Sequence, residues 1–105
     1  FVLFMPEARI EQAIAANGGR YTMPDAATGL PYGIGGAPVP AGVLAAALGK
    51  PLTVLLGTAD IDTADPDLRT TPEANRQGPH RFARGQSFFA EGRAAAERAG
   101  VPFGW

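Results

Sequence analysis

The sequence predicts an α/β fold, part of a parallel sheet with flanking helices, and three observations carry that prediction. "LTVLLG", Leu52 to Gly57, is continuously apolar or β-branched, the pattern of a strand buried on both faces of a parallel sheet. Segments with helical spacing and a glycine stop lie on either side of it, at 40–49 and 79–100. A second apolar run, "VPFGW", begins where the last helix ends. Helix, buried strand, helix and the start of a strand make the alternation of α/β units.

Taken in order, the chain opens with "FVLFM", the last turn of a helix or a short buried strand, ended by Pro6. "IEQAIAAN" is ambiguous: Ile10 and Ile14 stand four apart as on a helix face, yet Asn17-Gly18-Gly19 stops the element as a turn after a strand would. The reading adopted is a strand over Gln12–Asn17. From Arg20 to Pro40 four prolines and four glycines leave little periodicity, so 20–50 reads as a lid-like loop followed by a short helix. That helix has Pro40 in its first turn, Val43, Leu44 and Leu48 on one face, and Gly49 as its C-cap. Thr70 with Glu73 three residues on forms a capping signature for a helix that Gly78 ends. Pro79 starts a longer helix with Phe82, Phe89 and Ala96 at sevens, Gly85, Phe88 and Gly92 nearby, and Arg84, Glu91 and Arg98 opposite.

Composition limits what such a unit can do. The chain has 105 residues, 46% hydrophobic and 18% charged, with a formal net charge of −1, which describes one soluble globular unit spanning 1–105. Its 9 Lys and Arg are scattered, so no basic face is offered to nucleic acid. No apolar stretch approaches the ~20 residues needed to cross a bilayer, and no membrane association is expected. Zero cysteines exclude disulfides and thiolate metal sites and leave the compartment open, with the cytoplasm as the default expectation. The chain starts at Phe1 without an initiator methionine and ends on an apolar stretch, as expected of a piece of a longer polypeptide.

The chemistry-bearing residues gather behind the clearest strand. Four of the 10 acidic residues, Asp60, Asp62, Asp65 and Asp67, fall within eight positions. In open parallel sheets, ligands and reacting groups collect where loops leave the carboxyl ends of strands. A carboxylate held there can orient a histidine and stabilise its imidazolium. Asp60 is the first candidate for that role and Asp62 the second. A calcium loop is excluded by spacing: Asp65 stands where a glycine is needed and Thr71 where the bidentate glutamate belongs. One histidine without cysteine gives no zinc site, and no cofactor is expected. "YGIGG" lacks the last glycine of a dinucleotide fingerprint, Pro38 standing in its place, and reads as the bend of the lid. Tyr21, Met23 and Tyr32 are candidates to line an acyl-binding pocket there. Ser87 and His80 are seven residues apart on one predicted helix, hence ~10 Å apart, too far for a nucleophile and its base. Ser87 is therefore a plain helix residue and His80 a surface or capping one.

A resemblance adds to this reading. "LLGTADIDTADPDLRTTPEANRQGPHRFARGQSFFAEGRAAAERAGVPFGW" resembles the C-terminal part of an α/β-hydrolase, nearest to a bacterial branch in which a "GxxD" turn precedes "TPEA…QGPHRFARG…FF". "AIAANGGRYTMPD…LPYGIGG" is similar to the segment that follows the nucleophile-bearing helix there. The likeness implies an ester or related acyl hydrolase working through Ser, His and Asp, with Asp60 at the acid position and a small-molecule acyl compound as substrate. The pattern departs in one respect: no G-x-S-x-G elbow occurs, and the histidine is expected beyond "VPFGW". The alternative is a catalytically incomplete α/β module that binds or self-associates through exposed sheet edges as a homo-oligomer.

Overall fold

A computed structural model describes residues 2–5 and 7–105, with the Val2 side chain left aside. After a 3₁₀ turn at Val2–Phe4 come β1 (Ala13–Ala16), α1 (Ala41–Leu48), β2 (Leu52–Leu55), α2 (Pro72–Gln77) and α3 (Arg81–Ala99). The two strands pair in parallel, Ala13 beside Leu52 through Ala16 beside Leu55. The chain is thus a small parallel sheet with flanking helices, an α/β arrangement.

Both strands lie inside the stretches expected from the sequence, but β2 is covered on one face. Its Leu52 is buried and its Leu55 is 57% exposed, while Ile14 on β1 is 63% exposed. Side chains of a strand alternate between faces, so Ile14, Thr53 and Leu55 share the uncovered side. On the covered side Leu52 packs with Tyr21 and Phe88, and Leu3, Val54, Met23 and Trp105 close around them. A second cluster joins Leu48 of α1 to Ala95 and Ala96 of α3, flanked by Leu44, Val101, Phe103 and the same Trp105. Burying Leu48 completely contributes ~2–3 kcal/mol. Trp105 bridges the clusters, its ring 4.7 Å from Phe88 and its indole N–H donating to the Ala47 carbonyl at 3.1 Å. The residues after α3 join no ladder among the described residues, and the Gly104 amide donates to the Leu48 carbonyl instead.

Local chemistry explains the helix ends. Pro40 is the N-cap of α1 rather than its first helical residue. The cap of α2 is Thr71, whose hydroxyl accepts from the Ala74 amide at 3.3 Å, and not Thr70. Pro72 drives the residue before it into extended geometry, which is N-cap geometry, and needs no partner for its own nitrogen. His80 caps α3, its Nδ1 accepting from the Ala83 amide at 3.1 Å. Gly100 ends that helix at φ 65°, left-handed backbone that glycine adopts without cost.

The expected polar face of α3 needs one correction. Arg84 is fully buried, one turn before Phe88 and two before Gly92, on the core side. Its guanidinium is spent on backbone: Nε donates to Gly78 O at 2.8 Å, and Nη1 to Gly19 O at 2.6 Å and Arg69 O at 2.7 Å. Nη2 reaches Asn75 Oδ1 at 3.0 Å. Burial, then the charge of Arg81, pull Arg84 below its ordinary pKa.

The 20–40 stretch is tightly self-bonded. Asp25 accepts from the Ala27 amide at 2.8 Å and the Thr28 hydroxyl at 2.6 Å, and its own carbonyl takes the Ile34 amide. The bond from Thr28, then that from Ala27, holds the Asp25 carboxyl below its usual pKa. Gly33 is required here because a methyl group would meet the Thr28 and Asp25 carbonyls, both of them backbone. Gly33→Ala is therefore expected to lower stability by about 2–3 kcal/mol, read as a fall in the urea midpoint. An unchanged midpoint would mean that the loop yields freely.

Candidate active site

The site is built from the carboxyl ends of the two strands. Asn17 leaves β1 with φ 43°, a conformation asparagine tolerates better than most residues. Its amide donates to the Leu55 carbonyl, and its side-chain oxygen accepts from the Gly57 amide at 2.8 Å. The turn after β2 is therefore tied to the end of β1. Asp60 closes that turn with its amide on Gly57 O at 3.1 Å, and its carbonyl accepts from Phe82 N at the start of α3, also at 3.1 Å.

The Asp60 side chain is 23% exposed, neither in bulk water nor in the core. Its Oδ1 lies 3.4 Å from Arg81 Nη1, and its Oδ2 accepts nothing from the described residues. The same Arg81 nitrogen bonds Asp65 Oδ2 more closely. Asp65 is anchored in turn, Oδ1 accepting from the Asp67 amide at 2.8 Å. The bond from Arg81, then that from Asp67, pulls the Asp65 carboxyl below its ordinary pKa, and Asp65 chiefly raises Arg81. A lowered aspartate pKa lends stability that is complete above the unfolded value, about 3.9, and is lost as acidification passes the folded one. Asp62 is exposed and spends Oδ1 on the Ala64 amide at 2.8 Å. Asp62 and Asp65 thus shape the loop by side-chain-to-backbone turns, and Asp60 and Asp65 face one arginine.

The other candidates lie elsewhere. A cleft of about 600 Å³ runs between the 23–32 loop, α2 and α3, lined by Met23, Tyr32, Gln77, Ser87 and charged side chains of both signs. Asp60 is not part of its wall. Tyr32 is buried, and its hydroxyl pairs with Thr71 Oγ1 at 2.7 Å, the contact that chiefly lowers its pKa. Tyr21 packs in the core: its ring stacks on Phe88 at 4.6 Å and its hydroxyl accepts from the Gly18 amide at 3.0 Å. Gln77 fixes its backbone from both sides, Oε1 accepting from Tyr21 N at 2.9 Å and Nε2 donating to Tyr21 O at 2.7 Å. Ser87 is exposed on α3, and His80 Nδ1 is engaged in its cap; neither side chain bonds Asp60 among the described residues. Among the described residues no cluster of three metal-ligating side chains forms. No described helix is long and apolar enough to cross a membrane.

Sequence reasoning missed Asn17, Asp65 and Arg81. The signal for Asn17 is an asparagine before two glycines at a strand end, a natural place for left-handed backbone. Nothing local pairs Arg81 with carboxylates 16 and 21 residues earlier.

With this geometry in view, the comparisons with known proteins are informative. No protein-family model matches the sequence, and no curated protein does. Among solved structures, the chain is similar over its whole length to poly(aspartic acid) hydrolase-1 from Sphingomonas sp. KT-1, with 52% identity and a TM-score of 0.96, covering 40% of that chain. It is also similar over 96% of its length to LpqC, a poly(3-hydroxybutyrate) depolymerase from Bordetella parapertussis, with 42% identity and a TM-score of 0.90, covering 34% of that chain. The chain thus spans well under half the length of either protein. Over that span it shares the fold of two hydrolases, which agrees at this coarser level with the resemblance read from the sequence.

Proposed function

We propose that this chain is the acid-bearing portion of a hydrolase that cleaves an ester or related acyl linkage by a Ser-His-Asp mechanism. The observation that carries the reading is Asp60: a partly shielded carboxylate at the carboxyl end of a parallel strand, one oxygen steadied by Arg81 and the other unengaged. In the proposed mechanism that second oxygen accepts the Nδ1–H of a histidine supplied from outside the described residues. It fixes the tautomer and stabilises the imidazolium formed when the histidine takes the proton of the attacking serine. The two similar structures bear on the substrate class. Poly(aspartic acid) is joined by amides and poly(3-hydroxybutyrate) by esters, so both names denote attack on the acyl carbons of a polymer. A chain or oligomer with repeated acyl linkages is accordingly the substrate class proposed. Met23 and Tyr32 line a cleft apart from Asp60, so the acyl pocket is to be sought at the strand ends.

The test uses the longest polypeptide that carries this segment. Its intact mass is measured, and it is assayed on p-nitrophenyl esters and labelled with a serine-directed fluorophosphonate. A mass well above 10.9 kDa with both turnover and labelling supports the proposal. Turnover without labelling, or activity lost on Ser87→Ala, overturns it.

One observation favours a second reading, a self-associating module without turnover: Ile14 and Leu55 stand exposed, diagonally across the two strands, on the uncovered face of the sheet. In that case the 105-residue chain sediments as a dimer, and Ile14→Lys returns it to monomer. A monomeric chain at micromolar concentration removes this reading.

A further inference from the structure

We propose that Asp65 controls, through Arg81, how much negative charge Asp60 presents to its histidine, with Arg81 and Asp65 as positioning residues; this rests on the reading of Asp60 above. The geometry is that of one donor shared unequally. Arg81 Nη1 faces both carboxylates, stands 3.4 Å from Asp60 and binds Asp65 more closely. The three side chains are 17–26% exposed, shielded enough for their charges to act on one another across a few ångströms. The segments that carry the three groups are anchored. Arg81 begins α3, whose next amide is bonded to Asp60 O, and Asp65 is tied to the Asp67 amide. Arg81 therefore adjusts between two fixed acceptors, and what it gives to one it withholds from the other. The nearby charge on the α3 side is buried Arg84, which acts on Arg81 and is spent on backbone carbonyls; from β1 the neutral Asn17 faces the turn, exposed Asp62 is turned to Ala64, and His80 is engaged in its helix cap.

The expected signs follow from charge. Without Arg81, no neighbouring cation offsets the charge of Asp60, the imidazolium gains stability, and the acid limb of kcat/KM moves to higher pH. Without the Asp65 carboxylate, Arg81 closes on Asp60, the imidazolium loses stability, and the limb moves to lower pH. Each shift is expected at ~0.5–1 pH unit.

Opposite shifts alone would follow from any two nearby charges, so the decisive measurement is a double-mutant cycle. If Asp65 acts through Arg81, Asp65→Asn shifts the limb in the native background and by less than half as much in Arg81→Gln. Arg81→Lys, which keeps the charge, restores most of the native profile. Equal Asp65→Asn shifts in both backgrounds, or no shift in either, overturn the proposal. A crystal structure of Asp65→Asn supplies a readout that needs no activity: Arg81 Nη1 should approach Asp60 to below ~3.0 Å. A separation that stays at 3.4 Å or lengthens also overturns it. Asp60→Asn separates the two levels: if that variant keeps native kcat, the assignment of Asp60 has failed, whereas a loss of kcat without the coupled shifts refutes only the sharing.

Discussion

Arg84→Met is expected to remove about 4 kcal/mol of folding stability. Methionine can follow the buried path of the arginine stem, so little packing is lost. What disappears is the donor set that serves Gly78 O, Gly19 O, Arg69 O and Asn75 Oδ1. A fully buried acceptor left without a partner costs ~1–3 kcal/mol; these four are part-buried, so water replaces some of the lost bonds and the total stays below four times that figure. Arg84→Lys should lose roughly half as much, since one ammonium cannot reach all four acceptors. A domain of this size has ~5–15 kcal/mol in all, so Arg84→Met should lie near the edge of folding, with Tm lowered by roughly 15–30 °C. Urea unfolding with an unchanged slope measures the difference. A loss below ~1 kcal/mol would mean that the four acceptors find other donors.

Asp60→Asn carries the largest expected functional effect, a fall in kcat of order 10⁴-fold, or ~5 kcal/mol in transition-state stabilisation. An asparagine keeps the shape but presents no charge to an imidazolium, and its amide can force the wrong tautomer. The fold should survive, because Arg81 retains Asp65 and the Asp60 backbone bonds do not involve the side chain. Asp62→Asn is the control: that carboxylate is exposed and spent on a local turn, so kcat should stay near wild type. Esterase kinetics on both variants settle the matter. Near-native kcat for Asp60→Asn, or a collapse for Asp62→Asn, would reassign the acid.

Much of the scaffold was legible in the residues because it depends on local pattern. The apolar run at 52–57 and the Asn-Gly-Gly stop placed both strands, and Gly49, Gly78 and Gly100 marked the helix ends. The coverage of β2 was not legible, because continuous hydrophobicity gives a strand's affinity for cover on both sides and not which side receives it here. Thr71 was legible and missed: the proline after it dictates the cap more strongly than the spacing of Thr70 to Glu73. Arg84 was illegible for a physical reason. A guanidinium belongs on a solvated face unless distant backbone oxygens converge on it, and these come from residues 19, 69 and 78. The position of Asp60 could be read from strand and turn, but its steadying by Arg81 depends on how α3 docks, a long-range matter.

The packing of Trp105 has a spectroscopic consequence. This is the one tryptophan in the chain, and its indole belongs at once to the cluster around Phe88 and to the one around Leu48. Its emission is therefore a single optical gauge of both halves of the interior, and neither can come apart without reddening it. A fluorescence melt and a far-ultraviolet melt should accordingly coincide, marking the two clusters as one cooperative unit.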